Sequence, residues 1–308
     1  MKTHAPLPLW SLIAPIAGWL LLALSLLGLQ GGLWLVLMTA ALIAGVLSAV
    51  HHAEVVAHRV GEPYGTLVLA LAITVIEVAL IVSLMLTGGP QTTALARDTV
   101  FAAVMLILNG IVGLCLLVGG SRYREQTFGL LGVSASLATL AAIAILTLVL
   151  PNYTTSVPGP VYSPSQLAFV AVVSLVLYGT FVLVQTVRHR DYFLPPDAHE
   201  DHEAHAQPPS NRLAAASAAL LLLSLGAVVL LAKSLAPAIE LAVASAGAPK
   251  AVVGIIIAMV VLLPEGLAAY RAARANRLQT SLNLALGSAL ASIGLTIPAV
   301  AMVSLATG

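Results

Sequence analysis

Long apolar segments alternate with short polar breaks along the whole 308-residue chain. A helix needs an apolar run of about 20 residues to cross the hydrocarbon core of a bilayer. The runs between glycines, prolines and charged residues therefore predict nine membrane-spanning helices. The predicted spans are Trp10–Leu29, Leu33–Ala57, Gly65–Thr87, Thr99–Val118, Phe128–Leu150, Gln166–Val187, Leu213–Ala246, Ala251–Tyr270 and Ser281–Leu305. The long seventh span contains Lys233 and Pro237, and a break or kink is expected there because proline removes an amide donor.

The composition agrees with this pattern: 60% of the residues are hydrophobic, 8% are charged, and the mean hydropathy is +1.04. These values exclude a soluble globular protein and indicate an all-α polytopic membrane protein. A net charge of +1 without a basic patch argues against a nucleic-acid partner. Cys115 is the single cysteine, so no intramolecular disulfide is expected. No cleavable signal peptide is expected either, because the first apolar run is long enough to remain as a helix.

Basic residues indicate the orientation of the predicted helices, since lysine and arginine are retained on the cytoplasmic side in short loops. A cytoplasmic amino terminus places only Arg97 and Lys250 outside. The basic residues that fall on the cytoplasmic side are Lys2, Arg59, Arg122, Arg124, Arg188, Arg190, Arg212, Arg271, Arg274 and Arg277. One missed helix would scramble every later loop, so this split supports both the number of spans and the orientation.

Four acidic residues lie within apolar segments, and their surroundings repeat. In HHAEVVAHRVGEP and in PAIELAVASAGAP, the glutamates Glu54 and Glu240 are each followed by glycine seven residues later and by proline nine residues later. The next apolar helix then carries a second glutamate, Glu77 or Glu265. By the loop orientation these two helices run in opposite directions. The sequence therefore predicts an inverted repeat, the arrangement that many secondary transporters use for two-sided access.

A carboxylate at the centre of a membrane helix is costly, about 2.5 to 3.5 kcal/mol on insertion scales. One such residue could be a protonated, hydrogen-bonded packing group, but a symmetric set indicates function. A carboxylate that accepts either a proton or a cation can exchange one for the other. We expect this role for the central residues Glu77 and Glu265, with Glu54 and Glu240 lying nearer the ends of their segments.

Neighbouring residues could add oxygen ligands. Pro264 precedes Glu265, and a helix break there would offer a backbone carbonyl, although a plain kink is the alternative. Thr74 lies three residues before Glu77 and can place its hydroxyl on the same helix face. His51, His52 and His58 flank Glu54, and His58 could share a proton path or a metal ion with it.

Three stretches resemble a known family: HHAEVVAHRVGEPYGTLVLALAITVIEVALI, RDTVFAAVMLILNGIVGLCLLVGG and LLPEGLAAYRAARANRLQTSLNLALGSALASIGLTIPAV. They are similar to the bacterial calcium/proton and sodium/proton antiporters of the calcium/cation antiporter superfamily. The resemblance implies two inverted five-helix repeats after an extra first helix, in a multi-pass protein of the bacterial inner membrane. The expected divisions are 1–32 for the leader and extra helix, 33–187 for the first repeat, 188–212 for a cytoplasmic loop and 213–308 for the second repeat.

The resemblance also implies roles for residues. Glu77 and Glu265 match the paired central glutamates that bind the transported cation, and Glu54 and Glu240 match the acidic residues preceding them. The Gly-Asn pair that many calcium exchangers carry just before the key glutamate is replaced here, and Asn109 and Ser288 are candidate oxygens instead. With few neutral oxygen ligands, the transported cation could be Ca²⁺, Na⁺ or K⁺. The expected partners are inorganic cations, protons and the lipid bilayer, with no other cofactor.

The family pattern calls for 11 spans, whereas the sequence predicts about nine, so the second repeat is expected to be truncated. The loop DAHEDHEAHAQPP holds His199, His202 and His205 among acidic residues; it could bind metal or titrate with pH, or it could be a solvated linker. Two other functions are considered. A cation channel would share acidic pore residues, and an intramembrane metal enzyme would use His52, Glu54 and His58, although HExxH and GxSxG are absent.

Overall fold

The computed structural model describes residues 7–29, 31–61, 68, 71–79, 81–82, 95–194, 209–249 and 251–307. Within these ranges the regular structure is entirely helical. The α-helices are α1 (Leu9–Leu26), α2 (Gly32–Val60), α3 (71–79 and 81–82), α4 (Leu95–Met105), α5 (Val112–Tyr123), α6 (Leu130–Ala144), α7 (Pro164–Leu183), α8 (Asn211–Ser245), α9 (Ala251–Arg274), α10 (Leu278–Ala291) and α11 (Ile297–Thr307).

Short turns of other helix types join several of these helices into longer ones. Six-residue and five-residue π-helical segments occur at Leu106–Ile111, Ile145–Val149, Val184–Arg188 and Ser292–Thr296. Two 3₁₀ turns lie at Leu150–Tyr153 and Arg190–Phe193. Eight of the resulting helical stretches are long and apolar enough to cross a membrane. They coincide with eight of the nine predicted spans. α3 lies in the remaining one, Gly65–Thr87, so the predicted all-α membrane fold is confirmed.

The prolines do not break their helices. α8 runs through Lys233 and Pro237 without interruption, and α9 runs through Pro264. A break at either proline is therefore wrong, and the kink that was the alternative stays a prediction. A missing amide donor costs one hydrogen bond, but an apolar surrounding offers the remaining backbone groups no competing partner, so the helix continues.

The chain divides into two compact units. The first comprises Met1–Pro90 and Ala206–Pro264, and the second comprises Gln91–His205 and Glu265–Gly308. Each unit thus combines segments from both predicted repeats. The repeat boundaries at 33–187 and 213–308 describe internal sequence symmetry and stay a prediction.

In the first unit, α1 packs on α2 and α8, which lie against each other. The backbone carbonyl of Ser11 accepts two hydrogen bonds from α2, from Ser48 Oγ at 2.8 Å and from His52 Nε2 at 3.0 Å. Ser48 Oγ also lies 3.3 Å from Ser224 Oγ of α8. Because Ser48, His52 and Ser224 are fully buried, these polar contacts fix α1 against the other two helices.

In the second unit, α10 packs on α5 and α6 through an apolar cluster of Val133, Leu278, Leu282 and Leu286. A polar chain runs beside this cluster at the start of α10. Gln279 Oε1 accepts from the Gly129 amide at 2.6 Å, and Gln279 Nε2 donates to Asn283 Oδ1 at 3.0 Å.

Asn283 Nδ2 in turn donates to the carbonyl of Phe193 in the 3₁₀ turn. The start of α10 is therefore anchored to two loops at once.

The long loop between α6 and α7 is ordered by its own polar groups. Tyr162 donates its phenol to the Leu146 carbonyl, and burial raises the pKa of that phenol. Ser163 caps α7 in a capping box with Gln166. Arg97 Nη1, at the start of α4, donates to the Pro160 carbonyl at 3.4 Å. This loop and the first turn of α4 are thus held together at one end of the second unit.

Candidate functional site

Glu77 lies on the buried face of α3 in the first unit. Thr74, Glu77 and Ile81 are buried, at 5%, 3% and 0% exposure, and their spacing follows the helical period. Leu71 and Val75 point to the surface from the opposite face. The buried face of α3 therefore carries the Glu77 carboxyl group and the Thr74 hydroxyl inside the unit.

Glu265 lies on α9 in the second unit, where α10 supplies its partner. Ser288 Oγ donates a hydrogen bond to Glu265 Oε1 at 2.8 Å. A Cβ atom added at Gly266 would lie 3.3 Å from Ile111 Cδ1, so the absence of a side chain there allows α9 to pack closely. Ala269 and Ala273 continue this close packing against Cys115. Small residues on α9 thus pack closely against the stretch that carries Ile111 and Cys115, while α10 supplies the hydroxyl that contacts Glu265.

Asn109 occupies the π-helical segment Leu106–Ile111 and lies at the surface. Its Nδ2 atom donates to the Met105 carbonyl of its own helix at 3.1 Å. Of the two extra oxygen ligands suggested by the sequence, Ser288 contacts a central glutamate, whereas the contact of Asn109 runs from its amide nitrogen to its own helix. Ion binding by either residue stays a prediction.

The predicted supporting groups lie on the surface of their helices. Glu54 and His58, one turn apart on α2, are both exposed, as is Glu240 on α8. His52 lies on the buried face of α2. The residues proposed for a metal enzyme therefore do not share one face, and the described ranges contain no group of three His, Cys, Asp or Glu side chains that could hold a metal ion. The loop histidines His199, His202 and His205 lie outside the described residues.

Two buried polar networks were not predicted from the sequence: the contacts of Ser48 and His52 with Ser11, and the chain from Gln279 to Asn283. In the sequence, these networks are marked only by polar residues that lie in or beside apolar runs. The pair Gln279 and Asn283 is four residues apart, which is the spacing of neighbours on a helix face and could have marked it.

Comparison with known proteins extends over most of the chain. Residues 31–187 and 216–307 match the protein family described as "Sodium/calcium exchanger protein". The protein y4hA of Sinorhizobium fredii (strain NBRC 101917 / NGR234), provisionally named an ionic transporter, is 52% identical over 99% of this chain and 83% of its own length. The sodium-potassium/proton antiporter ChaA of Escherichia coli (strain K12) is 38% identical over 87% of this chain and 72% of its own length.

Solved structures agree in fold. The Ca²⁺/H⁺ antiporter protein YfkE superposes with a TM-score of 0.70 at 19% identity, covering 96% of this chain and 82% of that one. The H⁺/Ca²⁺ exchanger CAX gives a TM-score of 0.68 at 15% identity, covering 95% and 74%. The enzyme interpretation is therefore wrong, because the matched family and its structural neighbours are transporters. This chain belongs to the sodium/calcium exchanger family and is a membrane-spanning cation antiporter of the calcium/cation antiporter superfamily.

Proposed function

We propose that this chain exchanges cytoplasmic Ca²⁺, or Na⁺ or K⁺, for external protons by alternating access. The observation that carries the proposal is the hydrogen bond from Ser288 to Glu265 inside a membrane-spanning helix. The buried pairing of Thr74 and Glu77 on one face of α3 supports it. Each predicted repeat thus contributes one carboxyl group accompanied by a hydroxyl.

The chemistry follows from what these groups can accept. A carboxylate in an apolar surrounding is stable when it carries a proton or contacts a cation, and unstable when it does neither. Cytoplasmic cation displaces the protons of Glu77 and Glu265, and external protons later displace the cation. Because the empty carboxylates are unfavourable, the two ions are coupled and neither leaks alone. A change of access between the two loaded forms completes the cycle.

Ser288 can serve both forms of Glu265. Its hydroxyl carries one donor and two acceptor lone pairs and rotates freely. It donates to one oxygen of the Glu265 carboxyl group, while its lone pairs can face a cation bound by that group. The hydroxyl therefore compensates Glu265 in each half of the cycle without moving the helix.

The substrate class is hard cations, because α3 offers a carboxylate and a hydroxyl, and α9 and α10 together offer the same pair of oxygen ligands. The name of the Escherichia coli relative favours Na⁺ and K⁺, and the names of the two structural neighbours favour Ca²⁺. Because the Escherichia coli relative shares more sequence identity with this chain than the two structural neighbours do, we propose Na⁺ and K⁺ as substrates equally with Ca²⁺. We place the protein in the bacterial inner membrane with its amino terminus in the cytoplasm.

The test uses inside-out vesicles energised to an acidic lumen, with lumenal pH followed as Ca²⁺, Na⁺ or K⁺ is added. The expected result is a saturable alkalinisation with at least one of these cations. Glu77→Gln and Glu265→Gln should each abolish it, because an amide accepts neither a proton nor a strong cation contact.

Glu125→Gln is the matched control, since Glu125 is an exposed residue beyond the end of α5. It should keep the parent rate. Parent rates in Glu77→Gln or Glu265→Gln would contradict the assignment. Cation flux without proton movement in the opposite direction would favour a channel instead.

A further inference from the structure

Besides Ser281 Oγ at the start of α10, three buried hydroxyls in the second unit have no hydrogen-bond partner among the described residues: Thr99 Oγ1, Ser174 Oγ and Thr296 Oγ1. Their side chains are 1%, 0% and 0% exposed. Serines and threonines in membrane helices commonly donate to a carbonyl one turn earlier. Ser136, Thr147 and Thr180 of the same unit do this at 2.7 to 2.9 Å. The three unpartnered hydroxyls therefore differ from their neighbours in a way that points to a polar ligand.

The three helices that carry these hydroxyls meet at one place. The π-helical segment Ser292–Thr296 packs on both α4, which carries Thr99, and α7, which carries Ser174. A Cβ atom added at Gly294 would lie 2.8 Å from Tyr178 Cβ, so α7 approaches this segment very closely. Ser174 lies one turn from Tyr178 on the same face of α7.

Backbone oxygen atoms add to the polar character of this place. A π-helical segment departs from the regular hydrogen-bonding ladder, and such segments are frequent at functional sites. Pro298 is the second residue of α11, two positions after the segment ends, and cannot donate to the preceding turn. The buried segment therefore combines a hydroxyl with backbone carbonyls outside the regular hydrogen-bonding ladder.

This region is continuous with the candidate ion-binding residues along one helix face. Ser288, Ser292 and Thr296 follow one another at intervals of four residues, and all three are buried. Eight residues of helix span about 12 Å. The face therefore leads from the hydroxyl that contacts Glu265 to the π-helical segment on which α4 and α7 pack. Arg97 at the start of α4 contacts Pro160 in the loop before α7, so both helices begin at the same end of the unit.

We propose that Thr99, Ser174 and Thr296 hold water and relay protons between the outer surface and Glu265. This inference rests on the proposed function. Neutral oxygen groups without a charged residue suit water, which both donates and accepts, more than they suit an ion. An external hydronium gives a proton to the relay, each water or hydroxyl accepts one proton and passes on another, and the last proton binds the Glu265 carboxylate. No group in the relay changes its charge after the proton has passed.

Cysteine labelling tests the relay independently of transport activity. In a Cys115→Ala background, Thr296→Cys is treated with a small, charged methanethiosulfonate reagent on either side of sealed membranes. Thr155→Cys, in the exposed loop between α6 and α7, reports the face where that loop lies. Ile293→Cys is the matched buried control, because Ile293 is fully buried in the same π-helical segment.

Thr296→Cys should label from the same side as Thr155→Cys, whereas Ile293→Cys should stay unlabelled. Equal labelling of Thr296→Cys and Ile293→Cys, or labelling of Thr296→Cys only from the opposite side, would overturn the relay. Absence of labelling at Thr296→Cys would also count against it.

Kinetics supply the second measurement. Thr296→Val keeps the shape of the side chain but removes its hydroxyl, and should raise the external proton concentration for half-maximal exchange by about three- to tenfold. The KM for the cytoplasmic cation should stay unchanged, and Thr296→Ser should restore the parent proton dependence. An unchanged proton dependence in Thr296→Val would refute the relay, whereas loss of exchange in the parent protein would refute the proposed function instead.

Discussion

A single serine hydroxyl contacts one of the two central carboxyl groups, and the effect of removing it can be estimated. Hydrogen bonds to charged groups contribute about 1.5 to 3 kcal/mol. Ser288→Ala removes the donor that lies 2.8 Å from Glu265 Oε1 and adds no bulk. We expect the cation KM to rise by about tenfold or more, because the cation-loaded carboxylate loses its partner. Vesicle exchange at varied cation concentration measures this.

Ser136→Ala is the control for that prediction. Ser136 is also buried, but its hydroxyl donates to the Gly132 carbonyl of its own helix. It should leave the cation KM within twofold of the parent, which is the variation expected of a small internal hydrogen bond. If both variants weaken cation use equally, then Ser288 acts through folding and not through Glu265.

The glutamates could be predicted from the sequence because a carboxyl group in an apolar run is rare and costly. The Ser288 contact could be anticipated only as a candidate, since several hydroxyls lie on the same helices. Thr99, Ser174 and Thr296 gave no signal at all. Whether a hydroxyl bonds its own backbone or a neighbour depends on packing between helices, which one sequence does not contain.

At the level of helices, α1 is held by two donors that share one acceptor. Ser48 and His52 both donate to the Ser11 carbonyl. If either donor is removed, the other still satisfies the carbonyl; if both are removed, a buried carbonyl is left without a partner. We therefore expect Ser48→Ala and His52→Phe to be non-additive, with the double variant losing about 1 kcal/mol more than the sum. Unfolding of the parent, both single variants and the double variant in mixed micelles, followed by circular dichroism, measures the free energies for this double-mutant cycle.

Additive effects in that cycle would show that the two hydrogen bonds act independently. Thr39→Val in place of Ser48→Ala is the control, because Thr39 donates to Leu35 of its own helix and should add without coupling.

The start of α10 depends on Gln279 in a similar way. Gln279 is 1% exposed and bridges the Gly129 amide to Asn283. Gln279→Leu would leave the Gly129 donor and the Asn283 oxygen without this partner, and should destabilise the protein by about 2 kcal/mol. Thermal unfolding of the purified protein in detergent should show a lower Tm. Gln185→Leu, at a half-buried position of the π-helical segment Val184–Arg188, should keep the parent Tm. Equal losses in both variants would contradict a special role for Gln279.

Helix positions could be predicted because the apolar runs are long and the bilayer fixes their length. The behaviour of the prolines could not, since Pro237 and Pro264 lie within continuous helices. Propensity measured in water overstates the effect of proline where no solvent competes for the backbone. The four π-helical segments also had no sequence signal. They insert a residue to suit packing against neighbouring helices, so they follow from tertiary contacts.

For the molecule as a whole, the number of membrane crossings depends on whether α3 spans the bilayer. Eight described helical stretches suit a membrane span, and α3 is described only at 71–79 and 81–82. If α3 crosses, the ends of α2 and α5 lie on one side and the loop after α6 lies on the other. If it does not cross, the end of α2 and the loop after α6 share a side.

The distribution of basic residues indicates that α3 crosses. Arg59, Arg122 and Arg124 then fall on the cytoplasmic side together, and Arg97 is the one arginine of these loops that falls outside. In a Cys115→Ala background, Val60→Cys and Glu125→Cys should therefore label from the cytoplasmic side, and Thr155→Cys from the external side. These three positions are exposed, so labelling reports sidedness and not burial. Labelling of Val60→Cys and Thr155→Cys from one side, with Glu125→Cys on the other, would mean that α3 does not cross and that the predicted inverted repeat is wrong.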